Sequence, residues 1–150
     1  MRQAILASTR SYVADEICSF RNGDSLSTGS KIISSIESSP QGDYFATAGV
    51  LKTISIFDLQ SNIDHLNTSY KTYPVLDIKC VSKISCLSWN TVESNTIYSA
   101  DYDGVLNAFD PNTGVLLSSR TEHEKRCWTV DSSIVDPFKI LTGSDDCKVK

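Results

Sequence analysis

A chain of 150 residues has room for one domain of ordinary size, and its 40% hydrophobic and 21% charged residues fall within the globular range. With 14 basic against 18 acidic side chains, its net charge of -4 argues against non-specific nucleic-acid binding, which needs a basic surface. Apolar runs such as Ile5-Leu6-Ala7 and Val115-Leu116-Leu117 are far too short to span a bilayer.

Met1 to Ile17 carries Arg2 and Arg10 with no acid before Asp15, and it lacks the apolar h-region of a secretory signal. Residues 1–29 read as an N-terminal segment, partly irregular. The five cysteines, Cys18, Cys80, Cys86, Cys127 and Cys147, form an odd set without a C-x-x-C pair. Only His65 and His123 are available to join them as ligands, so neither a disulfide framework nor a metal site is expected. Buried, reduced thiols in the nucleus and cytoplasm are the ordinary expectation. Asn67-Thr68-Ser69 has the glycosylation spacing, which without a secretion signal is a chance match.

From residue 30 onward the chain repeats. Ile33-Ser-Ser-Ile36, Ile84-Ser-Cys-Leu87 and Cys127-Trp-Thr-Val130 each open a short apolar strand. Second strands follow at Tyr44 to Ala48, Thr96 to Ala100 and Lys139 to Gly143, ending 15, 16 and 16 residues after the anchors Ile33, Ile84 and Cys127. The anchors lie 51 and then 43 residues apart, and a period in the low forties is that of a four-stranded propeller blade. The excess in the first interval falls in Gln60 to Thr72, a polar stretch suited to a loop insertion.

Asp101-Tyr-Asp-Gly104 and Gly143-Ser-Asp-Asp146 supply hairpin turn chemistry between apolar runs. Third strands run from Thr53 to Asp58 and from Val105 to Asp110, each ending in Phe-Asp, and a fourth from Val115 to Ser119. No segment holds a 3.6-residue apolar spacing over three turns. The fold class expected is all-β: a propeller of which residues 30–150 supply about three blades. Propellers close with about 4 to 8 blades, so the chain is expected to be a fragment of a larger protein.

The strings Glu122-His-Glu-Lys-Arg-Cys-Trp-Thr-Val-Asp131, Gly143-Ser-Asp-Asp-Cys-Lys-Val-Lys150, Tyr44-Phe-Ala-Thr-Ala-Gly-Val50, Ser82-Lys-Ile-Ser-Cys-Leu-Ser-Trp-Asn90 and Asp101-Tyr-Asp-Gly104 are more specific than a generic blade. In order and with few length changes, they resemble the WD-repeat propeller of the constitutively photomorphogenic family of ubiquitin-protein ligases. The related phytochrome-signalling suppressors are similar but typically carry Val where Cys127 stands. The resemblance implies about three blades of a seven-bladed propeller, lying after a zinc-binding RING and a coiled coil that these residues do not contain. It implies a substrate-recognition module that captures acidic peptides carrying a Val-Pro pair. Transcription factors, photoreceptor-type regulators and a cullin-ligase adaptor would be its partners, with no cofactor, nucleic acid or membrane. Ubiquitin transfer would belong to the RING.

The family's peptide pocket matches here at Lys83, Tyr102, Arg126 and Trp128. The repeat agrees with that grouping, because Lys83 and Arg126 each precede an inner strand and lie 43 residues apart, one blade period. Tyr102 sits in the hairpin turn that opens onto the same face. Two cations beside two aromatics suit an acidic peptide with an apolar anchor: Arg126 for a carboxylate, Lys83 as a point charge, the Trp128 face for a proline ring. The plainer alternative is scattered rim charge with Trp128 in the core. His123 and Cys127 lack an orienting acid and oxyanion donors, so no catalytic residue is assigned.

The resemblance also implies a hydrogen-bonded structural network at His123, Thr142 and Asp146. The second blade keeps Ser99 and Asp103 of that network, with Cys80 at the histidine position, and the first keeps Thr47 but has Leu51 in place of the aspartate. A WD-repeat scaffold or adaptor without ligase activity is the second functional reading.

Overall fold

The computed structural model describes residues 31–59, 73–90, 92 and 96–150. The N-terminal segment 1–29, the loop Gln60 to Thr72, Cys18 and His65 lie outside the described residues. Among the described residues, ten strands form three antiparallel sheets. The first sheet holds β1 (Ile33–Ser38), β2 (Tyr44–Gly49), β3 (Thr53–Asp58) and β4 (Leu76–Lys79), in chain order. The second holds β5 (Ile84–Trp89), β6 (Ile97–Asp101), β7 (Val105–Phe109) and β8 (Leu116–Thr121), and β9 (Cys127–Ser132) pairs with β10 (Ile140–Ser144) in the third. These are two complete four-stranded blades and the first two strands of another, with Val149 already bridged to Gly143 beyond β10. The all-β propeller architecture is therefore as the repeat requires. β4 escapes the apolar pattern because only Ile78 of its four residues is buried.

Each blade is a meander because its turns are short and chemically determined. Asp101 accepts the backbone N–H groups of Asp103 (2.9 Å) and Val105 (3.0 Å) on Oδ1, and Gly104 takes φ +78°, closing the β6–β7 hairpin. After β7, Asp110 caps its own turn through Asn112 N (2.8 Å) and the Thr113 hydroxyl (2.7 Å).

The sheets then bury their apolar faces on one another. Ala46, Ala48, Ile54, Ile56 and Ile78 of the first meet Ile84, Leu87, Trp89, Ile97 and Phe109 of the second. A smaller cluster of Ala100, Cys127 and Val130, with Cys86, Tyr98, Leu106 and Ile140, joins the second to the third. Burying an aliphatic side chain such as Leu87 stabilises the fold by about 1.5–3 kcal/mol. Strands covered on both faces read as apolar runs rather than as a strict alternation.

The innermost strands β1, β5 and β9 stand side by side. Each carries a bulge at the same repeat position: the pairing skips Ser34 between Ile33 and Ser35, Ser85 between Ile84 and Cys86, and Trp128 between Cys127 and Thr129. A bulge bends its strand and re-aims the extra side chain. In the first two blades that side chain is a serine linking neighbours: Ser34 Oγ reaches Ile84 O (2.6 Å) and Ser85 Oγ reaches Cys127 O (2.5 Å). The third blade has Trp128 there instead.

Candidate functional site

The face at the start of the inner strands is built by one recurring backbone hydrogen bond. The residue before each inner strand accepts, on its carbonyl, the N–H of a residue in the turn after the second strand. The pairs are Val50 N to Ile32 O (3.1 Å), Tyr102 N to Lys83 O (2.9 Å) and Asp145 N to Arg126 O (3.1 Å). Ile32, Lys83 and Arg126 are thus one position in three blades, and Val50, Tyr102 and Asp145 another.

All four residues singled out in the sequence converge on this face. The Arg126 guanidinium carbon lies 4.2 Å from the Tyr102 ring centroid and 4.8 Å from that of Trp128. The two rings are tilted at 59°, with centroids 5.7 Å apart. The Lys83 ammonium stands 6.0 Å from the Tyr102 ring of its own blade, next to the blade that carries Arg126 and Trp128. A cation over an aromatic face gains about 0.5–1 kcal/mol at an exposed site. Arg126 is thereby ordered by rings rather than by an acid. It forms no ion pair among the described residues, and its Nε is buried without a hydrogen-bond partner. Trp128 remains 45% exposed, so the bulge turns it out of the core.

Asp145, which sequence reasoning passed over, completes the group. Its Oδ1 accepts the Trp128 indole N–H at 2.6 Å. The signal was present: Asp145 follows Tyr102 by the same 43 residues that separate Lys83 from Arg126.

Behind the site, His123 is buried between two partners. Its Nδ1 lies 2.9 Å from Asp146 Oδ2, and its Nε2 lies 2.9 Å from Thr142 Oγ1. An ionised carboxylate only accepts, so Nδ1 donates. Asp146 also accepts the N–H groups of Lys148 (3.0 Å) and Glu124 (3.3 Å). Burial pushes its carboxyl upward, but the hydrogen bonds from His123, Lys148 and Glu124 outweigh that and hold it at about 2. This joins the loop carrying Arg126 to the turn carrying Asp145.

The second blade departs from its expected network. Ser99 Oγ is buried with no partner, no hydrogen bond joins Ser99 to Asp103 among the described residues, and Thr47 Oγ1 in the first blade is equally unsatisfied. In the second blade Cys80 stands where the third has His123. Its thiol makes a long contact, 3.8 Å, with Ile78 O, and burial followed by the neighbouring Asp101 charge pushes it up to about 11. Cys127 is likewise raised by burial, and its sulfur faces the carbonyls of Thr129 (3.4 Å) and Gly143 (3.5 Å). Among the described residues, no group of three or more His, Cys, Asp or Glu gathers as a metal site, and no helix is long and apolar enough to cross a membrane.

Comparison with known proteins agrees with the repeat. Residues 18–58 match the family described as WD domain, G-beta repeat. The chain is 42% identical to the E3 ubiquitin-protein ligase COP1 of Arabidopsis thaliana over 134 residues, which is 89% of this chain and 19% of that protein. It is 41% identical to the protein SUPPRESSOR OF PHYA-105 1 of the same organism, over 93% of this chain and 13% of the relative. To the WD repeat-containing protein RUP1, also of Arabidopsis thaliana, it is 36% identical over 84% of this chain and 33% of the relative. The chain therefore spans about a fifth of the length of the ligase it matches. Repeat, blades and the WD-domain match at residues 18–58 agree with one another, and the chain is similar over most of its length to the E3 ubiquitin-protein ligase COP1 and to SUPPRESSOR OF PHYA-105 1.

Proposed function

We propose that this propeller face binds acidic peptides carrying a Val-Pro pair, as the substrate-recognition part of a ubiquitin-protein ligase acting in the nucleus and cytoplasm. One observation carries the reading: a guanidinium pre-ordered by two rings, with no acid on it and a second cation alongside. Such a group takes a carboxylate without first breaking an internal ion pair, and the planar fork of Arg126 suits bidentate capture. The exposed Trp128 ring offers a face for the proline and Tyr102 adds apolar area. Similarity to a named E3 ubiquitin-protein ligase supports the wider setting. Transcription factors, photoreceptor-type regulators and a cullin-ligase adaptor would be the partners in that setting.

Calorimetry of the protein with an acidic Val-Pro peptide tests this. Trp128→Ala should weaken binding by at least about 2 kcal/mol, roughly thirtyfold, as truncation of a central aromatic anchor does. Unchanged affinity would refute the site. A scaffold or adaptor without ligase activity is the second reading, favoured by the similarity to RUP1, of which the chain covers a larger share. Ubiquitin transfer to a bound partner by the full-length protein separates the two.

A further inference from the structure

Three features surround Trp128. It is the bulged residue of β9, at the position where the other blades use a serine to bond their neighbours. It is half exposed, so packing on its outer side does not fix its rotamer. Its indole N–H points at Asp145 Oδ1, at the short distance of a charge-assisted hydrogen bond. The Asp145 backbone bond to Arg126 O would survive any non-proline substitution, as the equivalent bonds of Val50 and Tyr102 show, so turn closure does not call for an acid here.

The geometry points to Asp145 as a positioning and specificity-determining residue for the face proposed above. Its carboxylate holds the indole beside Arg126 and Tyr102 and occupies the one polar atom of the ring. A ligand anchor seated on Trp128 is therefore offered an aromatic face with no donor, which favours an apolar group that needs no hydrogen bond. The carboxylate also divides the face by charge. Acidic residues of the peptide are drawn toward Lys83 and Arg126 and kept from the Asp145 corner.

The ligand part of this inference rests on the proposed peptide binding; the orientation of Trp128 does not. Two measurements on the 15N-labelled full chain keep them apart. The first follows the Trp128 indole N–H resonance, assigned by its loss in Trp128→Phe. Asp145→Asn, which keeps an acceptor oxygen, should retain a slowly exchanging resonance. Asp145→Ala should shift it and speed its exchange with water. An indole resonance in Asp145→Ala matching the wild type overturns the inference.

The second measures affinity for a fluorescein-labelled acidic Val-Pro peptide. Asp145→Asn should bind within about twofold of wild type, or more tightly as the repelling charge is lost. Asp145→Ala should bind about three- to tenfold more weakly, the cost of ordering one freed side chain on binding. An equal loss in both variants would mean that the carboxylate acts through charge alone, and positioning would be refuted. If the wild type fails to bind the peptide, the functional reading falls, while the indole resonance still decides whether Asp145 sets Trp128.

Discussion

Gly104 lies directly beneath the loop that carries Arg126: its carbonyl accepts the N–H of His123 at 3.1 Å, and a Cβ on it would stand 2.4 Å from the His123 carbonyl oxygen. The same Cβ would meet Lys125 O at 2.5 Å, and the residue holds φ +78°. This contact registers the hairpin bearing Tyr102 against the loop bearing Arg126. Gly104→Ala meets rigid backbone as well as a left-handed conformation, so a loss of at least about 2 kcal/mol is expected. Thermal unfolding should show it, together with weaker peptide binding from a displaced Arg126. An unaltered midpoint would mean that the two loops are not tightly registered.

Equivalent hydroxyls in two blades should respond oppositely to deletion. Thr142 Oγ1 has His123 Nε2 at 2.9 Å, whereas Ser99 Oγ is buried without a partner. Removing a satisfied buried group strands its partner, while removing an orphan relieves a desolvation cost of about 1–3 kcal/mol. Urea unfolding of Thr142→Val should show a loss of about 1–2 kcal/mol. Ser99→Ala should be neutral or stabilising. A clear loss on Ser99→Ala would show that its hydroxyl finds a partner in solution.

Acid should expose two carboxyls working in opposite directions. Asp146 is held at about 2, below its ordinary value of 3.8, so its stabilisation is complete above that ordinary value and is lost as pH falls toward 2. The stability gap between wild type and Asp146→Asn should therefore be constant above about pH 5 and narrow in acid. Burial raises Asp101, despite the N–H groups of Val105 and Asp103 bound to it. Its native form favours the proton, so its contribution falls as pH rises through 3.8 to its raised value. Chemical unfolding of Asp146→Asn and Asp101→Asn beside the wild type from pH 2 to 6 checks the signs, and parallel curves would contradict the assignment.

Much of this architecture was legible in the chain because a propeller repeats its chemistry locally. Ile33, Ile84 and Cys127 mark inner strands by apolar character, and Asp101 to Gly104 declares a turn whose geometry few other residues adopt. β4 was not legible, since a four-residue outer strand with one buried side chain carries almost no periodic signal. The resemblance singled out Lys83 and Arg126, and their spacing of one blade period placed them at equivalent positions of adjacent blades. The orphaned hydroxyls of Ser99 and Thr47 did not, because a hydroxyl's type says nothing of whether a partner reaches it.

Sequence by itself determined the blade period, the strands that compose it and the side-chain types delivered to one face, since these depend on local pattern and turn chemistry. Tertiary structure decided what those side chains do to one another. It placed Arg126 between Tyr102 and Trp128, turned Trp128 outward through a bulge and set Asp145 on its indole nitrogen. The contact of Arg126 with Tyr102 depends on the packing of one blade against the next, and the bond of Trp128 to Asp145 on strand pairing that joins residues 17 positions apart, beyond the reach of any local pattern.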